Sequence, residues 1–194
     1  MLARFGEVSA LEMDANARAI AAKKTNNLYD IRRGSCPDEI PFYNRCFDLI
    51  CMLDVLEHID QDTESLIAAK QLLAKRGRIL LTVPAYQWLW GVHDEFLCHK
   101  RRYSETQLRE KIVAAGLQPV KISYINTILF PLAAIVRLKD KLFGNTSATG
   151  TSVPPTPINT LFRILFGAER FLLGCFNLPF GVSLLCVLKA VDDC

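Results

Sequence analysis

FDLICMLDVLEHI, residues 47–59, combines an apolar run with an abruptly polar end. From Phe47 to Leu53 only Asp48 interrupts the apolar residues, which predicts a strand buried on both faces of a parallel sheet. Asp54, Glu57 and His58 then gather around Val55 and Leu56. In open α/β sheets, ligands bind just beyond the carboxyl ends of the strands. Two carboxylates and an imidazole at such an end are candidates for general acid–base chemistry or ligation, although a lone carboxylate there is often only a helix cap.

The segments around this strand alternate in type. Residues 8–13 (VSALEM) read as a short strand, and Asp14 supplies the N-cap of an alanine-rich helix over residues 15–24 that ends in Lys23 and Lys24. Residues 28–33 form a weaker strand, followed by the turn Gly34-Ser35-Cys36-Pro37-Asp38. After the central strand, Asp62 is expected to cap a helix with Leu66, Ala69 and Leu73 on one face and Gly77 just past its end. RILLTV (78–83) is a further buried strand, stopped by Pro84. A long loop of Trp, Tyr, His and Arg residues spans 85–103, and loops of that length in compact domains are usually functional. Ser104 and Gln107 form a capping box for a helix that ends at Gly116, and residues 120–125 are a strand. This order predicts an α/β fold with a mostly parallel sheet covered by helices.

The last third differs. Residues 126–143 and 158–176 read as apolar helices, joined by a flexible Pro/Ser/Thr-rich linker at 144–157. Residues 182–188 (VSLLCVL) read as the last strand. The whole chain, 1–194, is expected to be one domain with an apolar helical insertion at 126–181. Neither apolar segment is uninterrupted for about twenty residues, so a helical lid or a surface against lipid is expected in place of a transmembrane helix.

Composition narrows the function classes. The chain has 194 residues, 51% of them apolar, and a net charge of only +3. No basic run is interleaved with aromatics, which gives nucleic-acid binding no support. Its seven cysteines form no CxxC pair, and no apolar leader follows Met1. A reduced, cytoplasmic protein with structural thiols is expected.

Several side chains could carry chemistry. Glu12 ends the first strand, where an acid of a nucleotide-binding α/β fold accepts ribose hydroxyls, or it serves only as a cap. His93, Asp94 and His99 in WGVHDEFLCHKRRY match no zinc spacing, so no metal is expected. With Arg101, Arg102 and Tyr103 they read as substrate-facing or loop-ordering groups, or as a solvated loop. Trp88 and Trp90 read as packing residues, or Trp88 as the flank of a pocket.

VSALEMDANARAIA, GSCPDEIPF, FDLICMLDVLEHI, RILLTVPA and LWGVHDEFLCHKRRYSETQLREKIVAAGL together resemble the class I S-adenosylmethionine-dependent methyltransferases of the type-11 kind, over about residues 7–126. The resemblance implies a Rossmann-like sheet of seven strands, one of them antiparallel, with S-adenosylmethionine over the strand carboxyl ends. It makes Glu12 the ribose-binding acid and Gly34, Ser35 and Cys36 the turn lining the adenine, although Ser35 stands where the family commonly has Asp. Leu53 and Asp54 face the methionine portion of the cofactor. His58, and His93 from the loop, are the candidate catalytic groups. Asp94, His99, Arg102 and Tyr103 border the acceptor. The family's first strand and glycine-rich loop should precede residue 7, where Gly6 is the one glycine, so the chain reads as N-terminally truncated. The expected activity is methyl transfer to a small, lipid-like acceptor, with contact to a membrane surface through the apolar helices. The alternative is a non-catalytic methyltransferase-like partner module. A nicotinamide dehydrogenase is disfavoured because no GxGxxG is present.

Overall fold

The computed structural model describes residues 2–143 and 155–191, without the side chains of 140–143, 158, 161 and 166. The chain divides into two compact units, Met1–Cys46 and Phe47–Cys194.

In the first unit β1 (Ser9–Leu11) pairs in parallel with β2 (Asp30–Arg32). Helix α1 (Ala15–Lys24) connects them, and the Asp14 side chain caps it by accepting from the Ala17 N–H at 2.7 Å. Arg32 and Arg45 both pair with Asp30, which holds that carboxyl below its usual range mainly through its hydrogen bond from Arg32.

The second unit is built on a four-stranded sheet. Its strands are β3 (Phe47–Leu53), β4 (Leu73–Pro84), β5 (Leu117–Ile125) and β6 (Ser183–Ala190), in spatial order β3-β4-β6-β5. β3 and β4 run parallel, and β6 lies antiparallel to both of its neighbours. It is the one antiparallel strand of a mostly parallel arrangement, as expected. Alternate residues of β4 and β6, among them Ile79, Leu81, Val83, Leu184, Cys186 and Leu188, are fully buried. Helices α2 (Asp62–Gln71) and α4 (Glu105–Ala114) contribute Leu66, Ala69, Leu108 and Ile112 to the same core. The Cys186 thiol is pushed up to about 12 by this burial, which makes it inert packing.

Local sequence signals set several boundaries. The capping box of Ser104 and Gln107 starts α4, and Gly116, in the left-handed region at φ +69°, ends its last turn. Three expectations change. Among the described residues β3 pairs with one strand, β4, and Met52 is its one buried residue; Leu49 and Leu53 are about half exposed. A strand is buried on both faces only when both neighbours and covering layers exist, and its own apolar run cannot reveal their number. Helix α2 stops at Gln71, so Leu73 and Gly77 belong to β4. Asp62 is not the N-cap, which is Gln61. Its carboxylate instead receives bonds from Arg101, Tyr103 and Lys111.

Between β5 and β6 lie the apolar helices α5 (Phe130–Phe143) and α6 (Thr156–Cys175), the insertion before the last strand. Residues 144–154 of the expected linker lie outside the described residues. Buried Glu169 of α6 accepts from the backbone N–H groups of Asn126 and Thr127 at 2.9 and 2.7 Å, tying the helix to the end of β5. Lys121 donates to the Leu173 and Phe176 carbonyls at the C-terminal end of α6, one turn further on. Among the described residues no helix is long and apolar enough to cross a membrane.

The asymmetry between the sheet's centre and its edge is measurable. Leu81→Ala empties a fully buried site and should lower the unfolding free energy in urea by about 3 kcal/mol. Leu49→Ala, on the open edge, should cost under about 1 kcal/mol.

Candidate active site

The long loop after β4 is closed at its base by backbone bonds. Tyr103 N–H donates to the Pro84 carbonyl and Tyr86 N–H to the Tyr103 carbonyl, both at 2.9 Å. Inside the loop, helix α3 (Val92–Phe96) starts at Gly91, whose N–H donates to Asp94 at 3.0 Å. Asp94 is fully buried and its carboxylate is saturated. Arg102 grips both of its oxygens at 2.8 and 3.0 Å and also donates to the Ala85 carbonyl. His99 Nδ1 lies 2.9 Å from Asp94 Oδ1. Burial alone would raise the Asp94 pKa, but the bonds from Arg102, His99 and Gly91 outweigh it and hold the carboxyl below its usual range. An ionised Asp94 only accepts, so Nδ1 of His99 is the donor, and in the neutral ring the lone pair is then on Nε2.

That lone pair faces the end of β3. Cys98, in the left-handed region at φ +57°, turns the chain there, and Lys100 N–H donates to the Glu57 carbonyl at 2.9 Å. Nε2 of His99 consequently sits 4.0 Å from Glu57 Oε1, and the His99 ring meets His58 edge-on, with centroids 4.7 Å apart. Glu57 and His58 belong to a single 3-10 turn, Leu56–His58, directly beyond β3.

Glu57 is the unusual member. It is fully buried, and among the described residues neither carboxylate oxygen has a hydrogen-bond partner. Its pKa is pushed up to about 7, chiefly by burial and further by the Asp54 and Asp94 charges; its own amide and Arg102 offset part of this. His58 is exposed but its pKa is lowered, first by partial burial and then by His99, with a bond to the Cys98 backbone opposing. It is therefore a neutral imidazole at pH 7.

The other expected site residues are distributed as follows. In the first unit Glu12 lies just past the end of β1, half-buried, with Oε1 accepting from the Asp14 N–H at 2.8 Å. Ser35 and Glu39 exchange backbone bonds that close the Gly34-Ser35-Cys36 turn. A Cβ at Gly34 would meet the Glu39 carbonyl at 2.2 Å and Leu11 at 2.8 Å, so close backbone packing accounts for the glycine. Ser35 and Cys36 are half-buried, and burial raises the Cys36 thiol. In the second unit half-exposed Leu53 ends β3, and Asp54 follows in the left-handed region at φ +52°. Its N–H is held by Thr82, whose hydroxyl also reaches the Asp54 carboxylate at 3.2 Å. His93 lies on α3, half-buried and outside the His58–His99 cluster. Arg102 and Tyr103 point inward, towards Asp94 and Asp62. Trp88 is about half exposed and meets Tyr86 and Phe130. The sequence offered Glu57 only as one of three polar neighbours; its meeting with His99 depends on a loop that returns to the same strand end.

Comparison with known proteins gives the class. Residues 2–122 match the family described as "Methyltransferase domain". No curated protein matches the chain by sequence. Among solved structures, the fold is similar to an S-adenosylmethionine-dependent methyltransferase from Clostridium acetobutylicum ATCC 824, at TM-score 0.60 and 11% identity, covering 97% of this chain and 76% of that one. A Haloferax volcanii complex of the Trm112 methyltransferase activator with its methyltransferase aligns at TM-score 0.62 and 17% identity, covering 97% and 75%. Geranyl diphosphate methyltransferase in complex with S-adenosylmethionine aligns at 0.59 and 14%, covering 98% and 71%. The chain belongs to the methyltransferase domain family, as a class I S-adenosylmethionine-dependent enzyme with a Rossmann-like fold. The cofactor of this class is S-adenosylmethionine. Glu12 fits a ribose diol, because its Oε2 accepts no hydrogen bond among the described residues.

The raised pKa of Glu57 has a sign that can be checked. A carboxyl with a folded pKa near 7 and an unfolded value near 4.5 contributes stability below pH 4.5 and loses it as pH rises through 7. Glu57→Gln keeps the shape and removes the titration. In buffer containing a chelator, its unfolding free energy should match that of the parent chain at pH 4 and exceed it at pH 8 by up to about 3 kcal/mol.

Proposed function

We propose that this chain methylates a small-molecule acceptor bearing a hydroxyl or amine, and that the cluster of Glu57, His58 and His99 activates that acceptor. The observation carrying the proposal is the Asp94–His99 pair, which aims an imidazole lone pair at a turn that also holds Glu57 and a neutral His58. Bound S-adenosylmethionine supplies an electrophilic methyl group on a sulfonium. The protein's share of the work is orientation and proton removal, and holding the acceptor in line is the larger contribution. His58, exposed and with a lowered pKa, suits the removal of a proton from the acceptor. Asp94 and Arg102 act as positioning residues, through the loop that carries His99. In the first unit Glu12 is assigned to the ribose hydroxyls, with Gly34, Ser35 and Cys36 beside the adenine. Leu53 and Asp54, in the second unit, are assigned to the methionine portion.

Calorimetry with S-adenosylmethionine and S-adenosylhomocysteine tests the assignment. Both should bind the folded chain, and Glu12→Ala should weaken each by about tenfold or more, equivalent to about 1.4 kcal/mol. A folded chain that binds neither would leave the non-catalytic partner module as the better reading.

The acceptor is proposed to be lipid-like, used at or near a membrane surface. On α5 and α6, Leu132, Ile135, Leu138, Ile164 and Phe171 are all more than half exposed, an apolar display that suits an acyl or isoprenoid chain. A reducing, cytoplasmic location suits the free thiols among the described residues. Sedimentation with anionic phospholipid vesicles should bring the chain down, and Leu138→Glu with Phe171→Glu should return it to the supernatant. A parent chain that stays wholly in the supernatant would remove surface binding from the proposal.

A further inference from the structure

We propose that Glu57, His58 and His99 form a binding site for one divalent first-row transition ion, of which Zn2+ is the natural probe. Their donor atoms all lie within 4.8 Å of one another, and among the described residues they are the group of His, Cys, Asp and Glu side chains gathered this way. Two imidazoles and one carboxylate are a ligand set that holds zinc and its neighbours with a coordination position to spare.

Three features raise this above a chance cluster. First, Glu57 is completely buried with both oxygens unbonded, and Oε1 faces His99 Nε2 at 4.0 Å. A buried carboxylate without a donor is costly, and a cation satisfies it without any further hydrogen bond. Secondly, each histidine has its other side engaged. His99 is oriented through Nδ1 by Asp94, which Arg102 locks in turn, and His58 is bonded to the Cys98 backbone. Carboxylates and backbone carbonyls behind a histidine are the usual outer layer of a metal site, fixing the tautomer and the ring orientation. Thirdly, the site can close on an ion. Bonds of about 2.0–2.2 Å in a tetrahedral arrangement need ligands about 3.3 Å apart, so donor atoms now within 4.8 Å of one another must close by up to about 1.5 Å. His58, exposed to solvent on one side, has room to make that movement.

The open position would lie on the exposed side of His58. There it takes water or an oxygen of the acceptor and lowers its pKa, so that with the ion bound the proton leaves to solvent and His58 serves as ligand in place of base; this rests on the reading of the cluster as the place of acceptor activation. Binding of the ion is testable without any methyl donor, so this proposal and the methyl-transfer reading can fail separately.

The experiment is titration of the chelator-stripped, reduced full chain with Zn2+ by calorimetry and with Co2+ by absorption. One equivalent should bind, and Co2+ should give visible d–d bands without a thiolate charge-transfer band. His58→Ala, at an exposed position, and the near-isosteric Glu57→Gln should each weaken Zn2+ about tenfold or more, while Cys98→Ser should leave the affinity unchanged. The proposal is overturned if the folded chain takes up no stoichiometric ion. It is equally overturned if affinity survives both Glu57→Gln and His58→Ala, or if Cys98→Ser abolishes it.

Discussion

The grip of Arg102 on Asp94, out of contact with water, is the constraint that the functional loop obeys. Removing a guanidinium and a carboxylate from solvent costs several kcal/mol for each ion, and their attraction repays this only when the remaining hydrogen-bonding capacity is filled. Here it is filled: Asp94 receives both arms of Arg102, the Gly91 N–H and His99, and Arg102 spends another N–H on the Ala85 carbonyl. A loop under that requirement has few alternative conformations. The pair therefore contributes less to net stability than to placing one imidazole, with a defined tautomer, at the end of β3.

A second buried carboxylate nearby shows what the loop does with its other cations. Asp62 takes Arg101, Lys111 and the Tyr103 hydroxyl, whose bonds outweigh the burial that would raise its pKa and hold it below the usual range. Glu57 stands five residues earlier in the chain and receives none of them. Arg101 and Tyr103 of the loop and Lys111 of α4 go to Asp62, Lys100 goes to Asp60 and Arg102 to Asp94, and among the described residues none of these donors bonds Glu57. Native proteins pair nearly all buried polar atoms, and those left over concentrate where a bound group completes the arrangement. The unequal distribution leaves the unpartnered carboxylate at the turn after β3, and not on the Asp62 side of the loop.

Features made by neighbours in sequence were readable before the fold was known. Asp14 before α1, Ser104 with Gln107 before α4, and Gly116 after it act within a turn of their own positions, so local pattern suffices. The motif strand was also located correctly, but not its surroundings, because an apolar run of seven residues reads alike at the centre and at the edge of a sheet. Leu73 fitted the helical spacing of Leu66 and Ala69, yet it pairs with Phe47 as the first residue of β4, a long-range choice that periodicity does not register. Asp94 read as a substrate-facing or loop-ordering group, with the resemblance placing it beside the acceptor. Its burial follows from Arg102, eight residues on, and such a partnership has no local signature.

The exposed flank of β3 has a consequence for handling the protein. FDLICML carries one charge, no proline, and a row of main-chain donors and acceptors that among the described residues pairs with one strand, β4. Native edges are usually blunted by lysine, proline or a bulge; the irregularity here is confined to Phe47–Leu49, and the remainder runs straight to Leu53. An apolar strand of this kind is a template on which another extended segment can add itself by main-chain hydrogen bonding, including the same seven residues from a second molecule. Concentration and ionic strength therefore govern how long the purified chain stays dispersed. A single lysine at Leu49, at the middle of the open flank, is the smallest change that guards it.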